Sequence, residues 1–347
     1  MAIVAADPAF APTRHRSDPL RAVRVWLYAL GALVVLMVAV GGATRLTGSG
    51  LSITEWRPVT GAIPPLSEAG WAAEFERYKQ IPQYELRNRG MSLPEFKRIY
   101  AWEWGHRQLG RLIGLVFFLP LAWFWWRGLV SRRLALTLLG IGVLGGLQAG
   151  VGWIMVASGL EPGMTAVAPV KLALHLVLAS LILAALVWVA AGLRPPEEAG
   201  AARYGRTPLV LVALIVGQIG LGGLVAGSKA GLTYNTWPLM DGSFIPPSAV
   251  LFSTSPLVEN FVDNLALVQM NHRLMAYLVV AVAVWHAAAT RTAGAAAVAA
   301  TALAQAALGV VTLLLVVPLW AGLAHQLLAM LLLVMAVAHA RGGLART

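Results

Sequence analysis

Four histidines, His106, His175, His272 and His325, stand near the starts of long apolar segments, and their type and recurrence point to metal chemistry. A lone histidine inside a membrane helix packs or hydrogen-bonds. Four at corresponding places of a repeated unit are a costly arrangement of the kind that membrane proteins keep for function. The chain has no cysteine, which excludes disulfides, thiolate metal sites and iron–sulfur clusters and leaves nitrogen and oxygen as ligands. Imidazole suits iron, copper and zinc alike. Haem fits best, because two histidines per four-helix unit supply both axial positions and no nearby carboxylate or histidine cluster completes a compact zinc or copper shell. One turn beyond each histidine stand Gly110, Ala179, Ala276 and Ala329, small enough to leave room for a flat macrocycle.

Other residues cluster around these four. Arg107 and Arg111 flank His106, Arg273 follows His272, and Arg45 ends the first apolar segment, so all four arginines are candidate partners for haem propionates at the membrane boundary. For Arg111 the alternative is snorkelling to lipid headgroups. Glu103 lies three residues before His106 and so on the same helix face, whereas Gln269 holds that place before His272. The asymmetry makes Glu103 the candidate catalytic acid, with an ordinary interfacial carboxylate as the alternative. Gly140, Gly142 and Gly145 spell a dinucleotide-binding pattern, but inside an apolar span with no preceding strand; Gly142, Gly146 and Gly150 read better as close helix packing. His286 and His339 each follow a candidate ligand by fourteen residues, a spacing similar to that of the stacked haems in transmembrane b-type cytochromes. Bulky Val282 and Met335 one turn towards the midplane argue against it, as does the lack of first-half counterparts.

The elements that must position these residues are membrane helices. Hydrophobic residues make up 59% of the 347, charged residues only 12%, and the mean hydropathy is +0.73, so the bulk of the chain must be solvated by lipid. Apolar runs predict eight spans, near 24–43, 107–127, 134–156, 171–193, 208–227, 266–289, 295–316 and 320–340. The first is too long for a cleaved signal and is read as a retained anchor. The net charge of +11 carries no nucleic-acid message here, because the arginines fall in short flanks. Arg14, Arg16, Arg21 and Arg24, then Arg127, Arg132 and Arg133, then Arg194, Arg203 and Arg206, then Arg291, then Arg341 and Arg346 share one side if an even number of spans alternates. Both termini are then cytoplasmic, and all four candidate ligands enter from the outer face. The long basic loop 44–105 is outside the reach of that rule.

An internal repeat runs through the chain. Gly41-Gly42, Gly50-Leu51 and Trp56 correspond to Gly222-Gly223, Gly231-Leu232 and Trp237, and each stretch ends in Ile-Pro-Pro, at 63–65 and 245–247. Further on, His106-Arg107 corresponds to His272-Arg273, Gln148 with Gly152 to Gln305 with Gly309, and His175 to His325. The ordered series predicts an all-α integral membrane protein of eight transmembrane helices in two pseudo-symmetric four-helix bundles. The expected parts are a cytoplasmic tail 1–23, a first half 24–193 with the outer loop 44–105, a cytoplasmic linker 194–207, a second half 208–340 and a cytoplasmic tail 341–347.

Five segments together resemble the haem A synthase family: Gly41 to Ser52 (GGATRLTGSGLS), Glu103-Trp104-Gly105-His106-Arg107, Leu232 to Met240 (LTYNTWPLM), Asn271-His272-Arg273 and His325-Gln326. The resemblance implies oxidation of the ring D methyl group of haem o to a formyl group, by successive hydroxylation and loss of water, giving haem a for cytochrome oxidase. It implies haem b held by His272 and His325 in the second half, substrate haem o flanked by His106 and His175 in the first, and Glu103 as the acid in catalysis. It implies a bacterial inner (plasma) membrane location, with the lipid bilayer, haem o, an electron donor, haem O synthase and oxidase assembly factors as partners, and no nucleic acid. Many relatives carry an outer-loop cysteine pair; this chain is similar to the cysteine-free branch. Two other readings remain open at this point: an electron-transfer cytochrome b using His272, His286, His325 and His339, and a haem carrier for oxidase assembly.

Overall fold

The computed structural model describes residues 18–194 and 205–344; Arg14, Arg16, Arg203 and Arg346, which entered the topology reading, lie outside them. Eight long apolar helices answer the eight expected spans: α1 (Arg21–Leu46), α4 (Leu93–Trp126), α5 (Arg132–Gly159), α6 (Pro169–Gly192), α7 (Thr207–Ser228), α9 (Leu265–Thr290), α10 (Ala293–Leu314) and α11 (Leu319–Gly343). The shortest, α7 and α10, have 22 residues, about 33 Å at the α-helical rise and enough for a hydrocarbon core of about 30 Å. No strand occurs among the described residues. The chain is an all-α, multi-pass membrane protein.

Short helices α2 (Glu68–Lys79) and α3 (Pro82–Arg87) lie between α1 and α4, and α8 (Ser248–Leu251) lies between α7 and α9. These two loops mark one end of the molecule, the loop end. In the first, Tyr78, Ile81, Phe96 and Tyr100 form a buried apolar cluster with Leu51 and Ile53, which seats the loop on the early turns of α4. The Tyr78 hydroxyl donates to Gln83 Oε1 at 2.9 Å, and burial pushes its pKa above the ordinary value, so it stays a donor. This seat explains a difference from the expected span. α4 starts at Leu93 rather than near 107, because Ser92 and Glu95 form a capping box and the added turns pack under the loop instead of entering lipid. His106 is thus thirteen residues into its helix, while the other three stand six or seven residues into theirs.

Pro120 lies inside α4 without ending it. A proline withdraws the amide that would bond the carbonyl of residue 116. The indole Nε1 of Trp26 on α1 donates to the Val116 carbonyl at 2.7 Å and fills that place.

A single apolar cluster runs through the centre, fed by Leu27 and Leu30 of α1, Leu183 and Leu186 of α6, Leu211 of α7, and Met330 and Leu333 of α11. Helices α4, α5, α9 and α10 pack outside these four and present exposed leucines and phenylalanines. Lipid tails are as apolar as leucine, so helix association rests on close approach. Gly223 and Gly227 on one face of α7 supply it: a Cβ on either would fall 2.8 Å from the Ala173 Cα and 2.6 Å from the Pro169 Cα of α6. Gly142 likewise packs on Phe117 and Phe118, but Gly146 and Gly150 have nothing within 4 Å of an added Cβ. The packing role expected of those two is therefore corrected: they lie on a part of α5 that no neighbouring helix covers. Exposed tryptophans ring both ends, Trp123, Trp126 and Trp285 at one and Trp56, Trp237 and Trp320 at the other, where amphipathic rings favour the headgroup level.

Candidate functional site

All four histidines stand at the loop end, each against a glycine of the preceding long helix. A Cβ on Gly41 would fall 2.9 Å from Nε2 of His106, on Gly152 2.8 Å from Cε1 of His175, on Gly222 3.2 Å from Cε1 of His272, and on Gly309 2.9 Å from Cε1 of His325. Any larger residue would displace the ring, so glycine sets how deep each imidazole sits. The paired glycines of the repeat divide their work. Gly41 and Gly222 face the histidine of their own half, whereas Gly42 lies against Gln326 of α11 and Gly223 against Ala173 of α6. One residue of each pair shapes a site and the next brings the other half close.

The rings of His272 and His325 have centroids 6.5 Å apart. Two imidazoles on one metal need about 2 Å per metal–nitrogen bond and about 1 Å more from nitrogen to each ring centre, or about 6 Å between centroids. The pair fits a bis-imidazole iron. His286 and His339 do not: their Nε2 atoms are 2.9 Å apart and share a hydrogen bond, and an iron needs about 4 Å between its two nitrogens. The geometry therefore disfavours the four-histidine cytochrome b arrangement.

Glu103 is 3% exposed and completely engaged. Its Oε2 accepts from the Ser52 hydroxyl at 2.8 Å and the Ile53 amide at 2.9 Å, and its Oε1 accepts from Arg107 at 2.7 Å. Gln269, at the matching place, donates to the Ala230 and Thr233 carbonyls, both at 2.7 Å, and accepts from Arg273 at 2.8 Å. Both residues pin the chain that leaves the first helix of their half.

The arginines differ in what they have left to offer. Arg107 donates to the carbonyls of Ile53 and Glu55, Arg273 to those of Tyr234, Thr236 and Leu239, and Arg111 to Pro58, Arg57 and the Gln108 side chain. These three brace the loops. The Arg45 guanidinium has no hydrogen-bond or ion-pair partner among the described residues, which leaves it the best placed of the four for a carboxylate from outside the chain. Two cavities adjoin the braces. One, about 280 Å³, is lined by Arg57, Arg77, Arg107, Glu55 and Glu74; the other, about 400 Å³, by Trp237, Met240, Phe244, Arg273 and Tyr277.

Sequence reading missed three contributors. Ser52 and Ile53 bind Glu103 across some fifty residues of chain, a contact no helical periodicity encodes. Gln218 on α7 reaches His272, and its signal was in the chain: it precedes Gly222 by four residues, as Gln148 precedes Gly152.

Residues 24–337 match the model of the cytochrome oxidase assembly protein family. The chain is 67% identical to a protein named heme A synthase from a Methylobacterium species, over 97% of both chains. It is 66% identical to one from Methylorubrum extorquens, over 92% of this chain and 86% of that one. With the heme A synthase of Azorhizobium caulinodans the identity is 54%, over 95% of this chain and 96% of the relative.

Proposed function

The chain belongs to the cytochrome oxidase assembly protein family, and on that premise we propose that it is a membrane oxidoreductase that converts haem o to haem a, oxidising the ring D methyl group to a formyl group. The observation that carries the proposal is the pair His272 and His325, spaced for a bis-imidazole iron, at the same end of the bundle as a second histidine pair, His106 and His175. Opening an unactivated C–H bond requires redox chemistry that side chains lack and that a haem iron supplies when bound. In this reading the half 208–340 holds haem b through His272 and His325, and the half 24–193 holds haem o between His106 and His175. The two halves form pseudo-symmetric four-helix units.

The chain's own residues then have defined tasks. Gly41, Gly152, Gly222 and Gly309 set the depth of the four imidazoles. Arg45 takes a propionate. Glu103, a carboxylate one helical turn from His106, exchanges protons near the reacting methyl, with the polar cavity beside Arg107 as its way to water. The protein lies in the bacterial inner membrane with both termini cytoplasmic, draws on an electron donor, and works beside haem O synthase and oxidase assembly factors. Reporter fusions at Val130 and Val250 test the orientation: the first should be inside, the second outside.

The deciding experiment is pigment analysis in a host that makes haem o and lacks this activity. Expression of the chain should yield haem a. Haem o unchanged in the presence of a folded, haem-loaded protein would favour a carrier instead.

A further inference from the structure

We propose that Gln148, Gln218 and Gln305 are positioning residues that fix the imidazoles of His175, His272 and His325, and that His106, which lacks such a partner, is the ligand that lets go. The inference rests on the reading of the four histidines as haem ligands. Each glutamine donates its Nε2 to the backbone carbonyl of its histidine, Gln148 to His175 at 3.0 Å, Gln218 to His272 at 3.1 Å and Gln305 to His325 at 2.9 Å. The same amide nitrogen lies against the ring, 3.3 Å from His175 Nε2, 3.1 Å from His272 Nδ1 and 3.2 Å from His325 Nδ1.

The other end of all three amides is the informative part. Oε1 of Gln148, of Gln218 and of Gln305 is buried and has no hydrogen-bond partner among the described residues, and neither has Nδ1 of His175. A buried amide oxygen without a donor is unfavourable, and here it occurs three times at corresponding positions. As placed, each amide turns Nε2 and not Oε1 to the ring; turned over, at the cost of its bond to the carbonyl, it brings Oε1 to the ring nitrogen, where the natural donor is a ring N–H. A histidine that binds metal through one nitrogen gives the proton of the other to just such an acceptor, which fixes its tautomer and rotation and makes it a better ligand.

The fourth site breaks the rule. Each glutamine precedes its ring-facing glycine by four residues; four residues before Gly41 stands Met37. A thioether has no proton to donate, and the Met37 methyl lies instead against Gly110, 3.0 Å from where a Cβ would be, one turn beyond His106. The ring orientation follows the partner. The three glutamine-held rings present Cε1 to their glycines, while His106 presents Nε2 to Gly41. A site that must admit haem o and release haem a needs one ligand that swings, and a resident haem needs two that do not.

Exchange of the partners between halves tests this on the full-length protein, with haem transfer to excess apomyoglobin followed by absorbance and the departing haem identified by its pyridine haemochrome. Met37→Gln should slow the departure of haem o and haem a about tenfold, and Gln218→Met should speed that of haem b about tenfold and move its low-spin EPR signal. Gln218→Glu keeps an acceptor oxygen beside the ring but cannot donate to the carbonyl, and should restore slow release; if it behaves as Gln218→Met does, the glutamine only braces the helix and the proposal falls. Unchanged release from both exchange variants overturns it as well while the haem reading stands, whereas a wild-type protein that carries no haem sinks the reading beneath it.

Discussion

The two halves anchor their loops with the same side-chain geometry and opposite polarity. In the first, a carboxylate faces donors, the Ser52 hydroxyl, the Ile53 amide and Arg107; in the second, an amide faces two carbonyls and one arginine. The adjoining cavities follow suit, ionic beside Arg107 and aromatic beside Arg273. The bracing is thus alike, while the first cavity is lined by charged side chains of both signs and the second by aromatic and apolar side chains around Arg273 alone. A resident cofactor gains from a dry, neutral surround, and a reaction that releases protons gains from a charged one.

The largest test of that division removes a proposed ligand from each half in turn. His272→Ala or His325→Ala should abolish the low-spin haem spectrum of the purified protein, because a single imidazole leaves one axial position open. His106→Ala should leave it in place, and so should His286→Ala, since His286 is already bonded to His339. Loss of the spectrum in His286→Ala with retention in His272→Ala would reverse the assignment of the C-terminal pair.

The second test acts on the anchor itself. Glu103→Gln sets an amide NH2 against either Arg107 or the Ser52 and Ile53 donors, so at least one hydrogen bond is lost in any orientation. Haem a in the host should fall about 100-fold, with haem o or its alcohol accumulating and the C-terminal haem retained. Haem a at the wild-type level would leave Glu103 as a loop anchor alone.

Much of this was legible in the chain and some of it could not be. Span number and the four histidines came from apolar length and from residue types that membranes rarely tolerate, both local properties. The Gly41-Gly42 repeat was visible, yet its meaning was not, because Gly41 answers to a helix of its own half and Gly42 to one of the other. Arg107 and Arg273 read as free cations beside the ligands, and they turn out to be engaged by carbonyls that lie 34–54 residues away along the chain. The early start of α4 was written in Ser92 and Glu95, but apolar content was the stronger signal and it begins later.

The third test is the mirror of the second. Gln269→Glu points a carboxylate at two carbonyls, each 2.7 Å from the present amide nitrogen, and converts two hydrogen bonds into repulsions. Thermal unfolding should show a loss of about 3 kcal/mol, with no second site of haem oxidation. A stability equal to wild type would mean that the loop 229–264 does not depend on this anchor.

The smallest effect lies at the opposite end of the bundle, where the halves differ again. Pro120 follows His106 by fourteen residues, as His286 follows His272. One half therefore has a broken helix bond at the position where the other has a paired histidine. The broken bond leaves the Val116 carbonyl without its helical donor, and the Trp26 indole supplies one at 2.7 Å. Trp26→Phe keeps an aromatic ring against Phe117 and Phe124, whose centroids lie 5.8 and 5.5 Å away, and removes only the N–H. The cost should be about 1 kcal/mol in thermal unfolding, since the surroundings are apolar and no water replaces the donor. Adding Pro120→Ala returns a backbone amide to that carbonyl, so in its presence Trp26→Phe should cost nothing further. If Trp26→Phe costs as much in the Pro120→Ala background as it does with Pro120 in place, the indole serves the packing of α1 on α4 and not the repair of the helix.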